Sequence, residues 1–432
     1  MGKPLRVGMC GLGTVAQGVL NVLRDNHDAI TQRAGREIQL TQIASRSLKA
    51  GVDLGSAEFC TDVLALSRRD DLDVVVELIG GEETALEIVR NALRNGTSVV
   101  TGNKAIMALH GNELVELARE QGCSLGFEAA VAGAIPIIAA LTRSLAGNQV
   151  GWLAGIINGT SNFILTAMTE EGQNFQDALE EAQRLGYAEA DPTVDVDGID
   201  AAHKLTILAA LAFDMGFRFS DVYTEGISGV TAEDIEYADQ LGYRIKHLGI
   251  TRRTEAGVEA RVHPTLVPKR QLIANINGVM NAVLVQGNAA GPTLFCGAGA
   301  GDRPSASAVI ADLVEMARGI AFLPVKTPNV SPPMLAVEDT QSAFYLRIPS
   351  LDQPGVFAKV AGLLSERDIS IEAAIQREQA IDTTSQQAWV PIIILTHVVN
   401  ERVMNDAVAA VQSLPEVVGQ ITRLRVDQLT DG

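Results

Sequence analysis

The sequence predicts an α/β protein whose first domain is a parallel sheet with helices on both faces. Short apolar runs at 5–10, 38–45, 73–80 and 98–103 have the composition of buried strands. Stretches with helical spacing separate these runs, for example 82–96. Because strands that alternate with helices usually pair in parallel, this order favours a doubly wound sheet.

The alternation changes after residue 141, which indicates further domains. The segment from about 150 to 310 is predicted to contain longer helices, and it includes a strongly acidic stretch. A stretch rich in proline and polar residues at 326–341 has no clear periodicity and is predicted to be a linker. Beyond it, the patterns of a strand, a turn, a helix and two more strands follow in order, which indicates a small α/β module.

The composition excludes several classes of function. The chain has 432 residues, 47% hydrophobic residues and a formal net charge of −18. This charge argues against nucleic acid and against an anionic membrane as partners. The 4 cysteines have no metal-binding spacing, and no apolar run reaches the roughly 20 residues of a membrane helix. With no signal peptide evident at the N-terminus, we expect a cytoplasmic protein.

A glycine-rich turn, GLGTVA (11–16), follows the first strand and opens a helix. Gly11 permits a tight turn, Gly13 allows the backbone to approach a pyrophosphate, and the small Ala16 allows close packing of helix and strand. The helix N-terminus offers free N–H groups to an anion. We therefore predict a dinucleotide site at Gly11, Gly13, Thr14 and Val15, although an ordinary strand-to-helix turn could have the same pattern.

The second strand ends in ASRSLK and is not followed by an acidic residue that could bind the ribose hydroxyls. Arg46 and Lys49 form a basic cluster that suits a 2′-phosphate, so NADP is preferred over NAD as the predicted cofactor. The alternative is a solvated basic loop.

The stretch 188–204 contains five carboxylates and ends on a lysine. It could be a solvated loop, a metal site or one wall of a pocket for a cationic substrate. An EF-hand is excluded because Lys204 would occupy the position of the bidentate glutamate. Asp200 and Lys204 are four residues apart, so they share one face of the predicted helix. Asp191 and Asp197 are interpreted as solvated.

Several segments together resemble homoserine dehydrogenase in the form that carries a C-terminal ACT domain. The resemblance covers nearly the whole chain and departs from the family pattern only in small residues, Ala16 and Ala134. It rests on GxGTV at 11–15, VVTGNKA at 99–105, FEAAVAGAIPII at 127–138, GIINGTSNFIL at 155–165, RLGYAEADPTVDVDGIDAAHKL at 184–205 and GAGAGDRPSASAV at 297–309.

The resemblance implies a domain organisation and an activity. Residues 1–136 would form a Rossmann-type domain that binds NAD(P), and 137–310 an α+β domain for catalysis and dimerisation. Residues 311–340 would be a return segment and linker, and 341–432 a ferredoxin-like ACT domain. The implied enzyme reduces aspartate β-semialdehyde to L-homoserine on the route to threonine, methionine and isoleucine, as a homodimer or homotetramer.

The resemblance also assigns roles in the active site. Glu189 and Asp200 would bind the substrate, with Asp195 a weaker candidate, and Lys204 would donate the proton. Lys104 would lie beside the nicotinamide and the substrate, and we expect the two ammonium groups to lower each other's pKa. Further candidates are Asn158, Gly159 and Thr160 near the substrate, and Gly186 and Gly301 near the cofactor. For Asn158 and Thr160 the alternative is a helix N-cap.

Two more sites follow from the resemblance. Glu128, with the backbone carbonyls of Val131, Gly133 and Ile135, would bind a monovalent cation, sodium by preference. The alternative is a helix entry built from small residues.

In the C-terminal module, Asp352, Gly355 and Gln376 would contact an amino-acid effector, with threonine, the end product, as the implied ligand. The alternative for this module is oligomerisation alone. Two other functions remain open: a different NAD(P)-dependent semialdehyde dehydrogenase, and an amino-acid sensor without turnover.

Overall fold

The first domain is built on a parallel sheet, as predicted. The computed structural model describes residues 2–320, 331–376 and 389–430. In this domain the elements are β1 (Leu5–Cys10), α1 (Thr14–Asp25), α2 (His27–Ala34), β2 (Ile38–Ala44), β3 (Glu58–Cys60), α3 (Val63–Ser67), β4 (Val74–Glu77), α4 (Glu83–Arg94), β5 (Ser98–Thr101), α5 (Lys104–Glu120) and β6 (Leu125–Gly126).

The strand order is β3-β2-β1-β4-β5-β6, and every neighbouring pair is parallel. The order reverses between β1 and β4, which is where doubly wound sheets bind their ligands. The four apolar runs correspond to β1, β2, β4 and β5. The sequence did not reveal β3 and β6 because these strands are too short to show a pattern.

The second domain contains a large mixed sheet. Its elements are α6 (Ile137–Ala139), β7 (Val150–Ile156), α7 (Gly159–Glu170), α8 (Phe175–Arg184), α9 (Thr193–Val196), α10 (Ile199–Ala212), β8 (Tyr223–Thr224), α11 (Ala232–Gln240), β9 (Tyr243–Arg253), β10 (Val258–Pro268), β11 (Met280–Gly287), β12 (Gly291–Ala298) and α12 (Asp302–Ala317). The sequence analysis emphasised helices here, yet β9 and β10 have 11 residues each. Their side chains are buried almost throughout, so they lack the alternation that marks a strand in the sequence.

Helix α12 returns to the first domain after the second sheet is complete. Its buried residues, among them Ala306, Val309 and Leu313, belong to the same apolar core as β1 and α1. Contact with α1 is close because Gly18 has no side chain. A Cβ atom on Gly18 would lie 2.3 Å from the carbonyl oxygen of Asp302.

The third domain continues the large sheet. Its elements are β13 (Gln341–Leu351), α13 (Val356–Ser365), β14 (Ile371–Gln376), β15 (Trp389–Thr396), β16 (Val399–Asn400), α14 (Glu401–Gln412) and β17 (Thr422–Val426). The sheet order is β12-β11-β7-β9-β10-β17-β13-β15-β14. Strand β17 pairs in parallel with β10 of the second domain and antiparallel with β13. Thus the sheet crosses the domain boundary without a break.

The fold class predicted from the sequence is confirmed, and the domain limits remain predictions. Part of the predicted linker, 326–330, lies outside the described residues. From 331 to 340 the chain forms only a short 3-10 turn, Val337–Asp339, and one isolated bridge at Met334. No helix in residues 2–320, 331–376 or 389–430 combines the length and apolar character that crossing a bilayer requires.

We predict that Gly18→Ala destabilises the first domain because the new methyl group forces α1 away from α12. Overpacking of this kind costs about 1–3 kcal/mol, which would lower the thermal unfolding midpoint measured by circular dichroism. Gly362→Ala in α13 is the matched control, since a Cβ atom there meets nothing within 4 Å. An equal effect of both substitutions would contradict the role given to Gly18.

Candidate active site

Helix α10 contains the end of the acidic stretch, including Asp200 and Lys204, and most of its residues are buried. It packs against β9 and β10 on one side and against α5 of the first domain on another. This environment explains its apolar run, Leu205–Ala210, which is buried. Gly198 precedes the helix with φ of +85°, a left-handed conformation that favours glycine.

Asp200 lies between the two predicted lysines. Its Oδ1 atom is 2.8 Å from Lys104 Nζ, and its Oδ2 atom is 2.6 Å from Lys204 Nζ. Lys204 also donates to the carbonyl oxygen of Ile157 at 2.8 Å. Because Lys104 is the first residue of α5 and Lys204 lies in α10, the carboxylate joins two domains. The prediction that Asp200 and Lys204 share one helix face is confirmed.

The two lysines differ in their electrostatics. Burial, the largest influence, lowers the pKa of Lys204, and the nearby Lys104 contributes in the same direction, while Asp200 opposes both. The carboxylate of Asp200 instead raises the pKa of Lys104. Our expectation that both pKa values fall is therefore wrong for Lys104, because Asp200 lies between the ammonium groups. Burial opposes ionisation of Asp200, but the two lysines outweigh it and lower its pKa.

Asn158 links the carboxylate of Asp195 to that of Asp200. It is the N-cap of α7, and its side-chain oxygen accepts the N–H of Ser161 at 2.8 Å. Its Nδ2 atom donates to Asp195 Oδ1 at 2.7 Å and to Asp200 Oδ2 at 2.9 Å. The capping alternative and the site assignment are thus compatible. Burial raises the pKa of Asp195, which is partly shielded from water.

The remaining residues of the acidic stretch lie further out. Glu189 is exposed, but its charge contributes to the raised pKa of Lys104. Asp191 and Asp197 are exposed, in agreement with their interpretation as solvated residues. Thr160 Oγ1 donates to the carbonyl oxygen of Tyr187 at 2.8 Å, which ties α7 to the start of the stretch.

Gly159 and Gly186 lie where close packing or the backbone conformation favours glycine. At Gly159, the first residue of α7, a Cβ atom would lie 2.8 Å from the carbonyl oxygen of Val279. Gly186 follows α8 with φ of +77° and is exposed.

The glycine-rich turn has the geometry of an anion site. Gly11 has φ of +108°, and a Cβ atom there would lie 2.5 Å from the carbonyl oxygen of Leu78. Gly13 faces open space, with nothing within 4 Å of a Cβ position. It is the N-cap of α1 without a side-chain cap, so the N–H groups at Thr14 and Val15 are available to an anion. Arg46 and Lys49 follow β2 and are exposed.

A cleft of about 260 Å³ connects the turn to the lysines. Its lining includes Val15 of the turn, both Lys104 and Lys204, and Gly299 of the second domain. Gly301, with φ of +130°, follows this segment and is the N-cap of α12. The turn, the two lysines and a segment of the second domain therefore border one cleft.

The sequence analysis did not identify two buried polar residues beside the cleft. Glu77 ends β4, lines the cleft and accepts a hydrogen bond of 2.5 Å from Thr101 Oγ1. Burial raises its pKa. The charge at the end of the apolar run DVVVELIG was the available signal. Asn281 lies against Gly299, and neither atom of its amide group has a partner among the described residues. Nothing in the sequence distinguished it.

The residues predicted to bind a cation form one turn. Glu128 is buried, and its carboxylate accepts the N–H groups of Ile138 at 2.9 Å and Ala139 at 2.8 Å. Burial raises its pKa. Ala132 and Gly133 both have left-handed backbone, with φ of +56° and +52°. Val131, Gly133 and Ile135 are buried as well, and the carbonyl oxygen of Ile135 accepts the N–H of Ile137 at 2.7 Å. Within the described residues, no group of three or more His, Cys, Asp and Glu side chains is placed to hold a metal ion.

The predicted effector residues lie at one end of the third domain's sheet. Asp352 and Gly355 follow β13, and Gly355 is the N-cap of α13 with φ of +91°. Gln376 ends β14 and is exposed. Strands β13 and β14 both pair antiparallel with β15, so they run in the same direction and their C-termini lie at the same end of the sheet.

Family models match most of the chain. A model described as the NAD-binding domain of homoserine dehydrogenase matches residues 11–128, a model described as homoserine dehydrogenase matches 136–314, and an ACT domain model matches 345–416. The homoserine dehydrogenase of Pseudomonas aeruginosa is 53% identical over 436 residues, covering 99% of this chain and 100% of the relative. That of Neisseria gonorrhoeae is 47% identical over 441 residues, with 99% and 100% covered.

Solved structures agree with these matches. The crystal structure of a homoserine dehydrogenase from Thiobacillus denitrificans has a TM-score of 0.94 at 50% identity, covering 99% of both chains. A homoserine dehydrogenase structure from S. aureus at pH 7.5 has a TM-score of 0.76 at 32% identity, covering 98% of this chain and 99% of that one. The relatives are up to 53% identical over almost the whole chain, and the three family models match it one after another. The chain therefore belongs to the homoserine dehydrogenase family.

Proposed function

We propose that this protein reduces L-aspartate 4-semialdehyde to L-homoserine with NADPH, and that threonine regulates it through the ACT domain. The observation that carries the proposal is the placement of Asp200 between Lys104 and Lys204, in the cleft that also contains the glycine-rich turn. This arrangement offers a proton donor, a second cation and an anion site next to one another.

The reaction needs a proton at the carbonyl oxygen. The bound cofactor supplies hydride to the aldehyde carbon, which leaves negative charge on the oxygen. Lys204 stabilises this charge and donates the proton, since its lowered pKa brings it closer to neutral pH. Lys104 retains its charge because of Asp200 and provides electrostatic stabilisation.

The amino-acid part of the substrate carries an ammonium group that requires carboxylates. Glu189 and Asp200 are the proposed partners, with Asp195 as a further candidate, and Asp200 also holds the two lysines beside them. The carboxylate of Asp195 is fixed by Asn158, so it is oriented before the substrate arrives. Asn158, Gly159 and Thr160 border the same region at the start of α7.

NADP is the proposed cofactor, with NAD as the alternative. Gly11, Gly13, Thr14 and Val15 would hold the pyrophosphate, and Gly186 and Gly301 would approach the cofactor from the second domain. Arg46 and Lys49 support the preference, because they are exposed just after β2, where the adenosine ribose binds in such folds.

A monovalent cation, sodium by preference, would be held by Glu128 and by the carbonyls of Val131, Gly133 and Ile135. It would fix the turn that forms part of the cleft wall, since Gly133 lines the cleft. Activity measured in sodium, potassium and choline salts tests this assignment.

We also propose a homodimer or homotetramer in the cytoplasm. The second domain presents an apolar groove lined by Trp152, Leu284 and Leu294, and Leu272 beside it is 72% exposed. Such a patch is typical of a subunit interface. Light scattering measures the mass of the assembly. All 4 cysteines are free, which suits a reducing compartment.

We predict that Lys204→Ala and Lys104→Ala each lower kcat strongly while NADPH binding is retained. Loss of a general acid costs about 10²–10⁴-fold in rate. NADPH oxidation measures kcat, and fluorescence titration measures cofactor binding. Lys269→Ala, outside the cleft, is the control. A variant with near-normal turnover would remove that lysine from the mechanism.

The pH profile should respond to Asp200→Asn. Lys204 must be protonated to donate, so reduction is lost as the pH rises through its pKa. Removing the carboxylate removes an influence that raises this pKa, and the alkaline limb of kcat should move to lower pH. Asp197→Asn, in the same stretch but exposed, should leave the limb in place. An unshifted limb in Asp200→Asn would argue against Lys204 as the donor.

Threonine should suppress NADPH oxidation in the presence of aspartate semialdehyde. Asp352→Ala should raise the threonine concentration that halves activity, because the effector loses a contact at the turn before α13. The same assay with NADH should give a lower kcat/KM than with NADPH. Activity that is insensitive to threonine across pH and salt would reduce the ACT domain to an assembly module. A lack of oxidation with both cofactors in folded, sodium-supplied protein would favour the amino-acid sensor.

A further inference from the structure

Glu225 connects the third domain to the second through its side chain. It lies just after β8, and its Oε2 atom is 2.7 Å from Arg425 Nη1 of β17. Tyr223 donates its hydroxyl hydrogen to the same oxygen at 2.8 Å. Arg425 lies 4.8 Å from the centre of the Tyr223 ring. Two of these interactions, both made by Arg425, hold this short segment against the third domain, and the Tyr223 hydroxyl orients the carboxylate of Glu225 within the segment.

Arg425 is held firmly on its own side. It is 1% exposed, and its other nitrogen atoms donate to the carboxylate of Glu401 at 3.0 and 2.6 Å. The strand that carries it lies between β10 and β13, with Arg425 level with Thr265 of β10. The guanidinium group is therefore a fixed point of the third domain, because burial and pairing leave it no alternative partner in water.

The backbone of Glu225 is fixed on the opposite side. Its N–H donates to the carbonyl oxygen of Val262 at 2.8 Å. His247 donates from Nε2 to the carbonyl oxygen of Glu225 at 3.0 Å. A carbonyl oxygen can only accept, so Nε2 carries the hydrogen, and burial lowers the pKa of this ring.

Gly226 and Ile227 follow Glu225 and contact the turn at 196–198, which directly precedes α10. Ile227 donates its N–H to the carbonyl oxygen of Val196 at 2.9 Å. Gly226 lies so close that a Cβ atom would be 2.4 Å from the same oxygen and 2.7 Å from Cα of Asp197. His247 also lies close to the turn, because a Cβ atom placed on Gly198 would be 3.1 Å from Cε1 of His247.

This turn joins α9, which carries Asp195, to α10, which carries Asp200. Asp195 directly precedes Val196 and accepts a hydrogen bond from Asn158. Gly198 begins the helix that holds Asp200 and Lys204. A displacement of Glu225 would therefore reach Asp195 through Val196, while Asp200 is additionally held by Lys104 from the first domain.

We propose that Glu225 is a positioning residue for substrate binding, through which Arg425 of the ACT domain fixes the turn that directly follows Asp195. This inference rests on the proposed assignment of Asp195 to the substrate's ammonium group. Glu225 itself does not touch the reacting atoms. Its role is to set the distance between the turn and the third domain, so a change in that domain is transmitted to the substrate site.

Glu225→Gln in the full-length protein tests the proposal. The neutral amide keeps the shape but loses the charge that Arg425 binds. We expect KM for aspartate semialdehyde to rise roughly fivefold, with kcat and KM for NADPH within about twofold of wild type. A merely structural defect would reduce the amount of active enzyme and leave both KM values in place.

Glu233→Gln is the matched control. Glu233 also pairs with an arginine across the same domain boundary, at 3.1 Å from Arg347, and its exposure is similar, 29% against 31% for Glu225. It lies in α11, outside the segment 223–227 that bonds to the turn before α10. We expect it to leave KM for the semialdehyde unchanged. Glu225→Asp, which keeps the charge, should give an intermediate increase and serves if the glutamine variant does not fold.

Two results would overturn the proposal. One is an unchanged semialdehyde KM in Glu225→Gln, and the other is an equal increase in Glu225→Gln and Glu233→Gln. Asp195→Asn separates the two levels of inference. If it leaves the semialdehyde KM unchanged, the substrate assignment fails, whereas a raised KM in Asp195→Asn alone rejects only the role of Glu225.

Discussion

The carboxylate of Asp200 between two ammonium groups is the interaction on which the active site depends. Lys104 comes from α5 of the first domain and Lys204 from α10 of the second, so the group exists only when the two domains pack together. The side chains of Lys204 and Asp200 are only 11% and 4% exposed, and removing one partner of a buried ion pair costs about 3–5 kcal/mol because a charge is left without compensation. The same interaction gives the two lysines different properties. One is buried with a lowered pKa, and the other keeps a raised pKa. The proposed proton donor and a lysine that keeps its positive charge can therefore lie side by side.

The first two domains also share the construction of the cofactor cleft. The glycine-rich turn belongs to the first domain, but the segment around Gly299 that completes the cleft belongs to the second. Immediately afterwards, α12 returns to the first domain and packs against α1, where Gly18 permits close contact. Because one short stretch of chain both lines the cleft and anchors α12, movement between the domains is restricted at the cofactor site. The chain thus crosses between the domains more than once, and each crossing contributes residues to the cleft.

The ACT domain is integrated with the catalytic domain rather than appended to it. Strand β17 extends the large sheet from β10 to β13, and buried charged groups lie on both sides of this junction. Arg347 pairs with Asp234 of α11 at 2.6 Å, and Arg261 donates to Ser342 at 2.8 Å. Removing one partner of a buried charged pair is costly, so these contacts help to hold the two domains in one arrangement.

The sequence by itself determined the local elements and their chemistry. The glycine-rich turn, the strands β1, β2, β4 and β5, and the pairing of Asp200 with Lys204 all follow from short spacings, because residues four apart on a helix must be neighbours. The contact of Asp200 with Lys104 and that of Arg425 with Glu225 join residues 96 and 200 positions apart. No periodicity encodes such contacts. The long strands β9 and β10 were missed for a related reason, since burial on both faces removes the alternation that local patterns reveal. Only the tertiary structure decided that the two lysines share one carboxylate, and thereby that their pKa values diverge, because the field at each group depends on neighbours brought by folding.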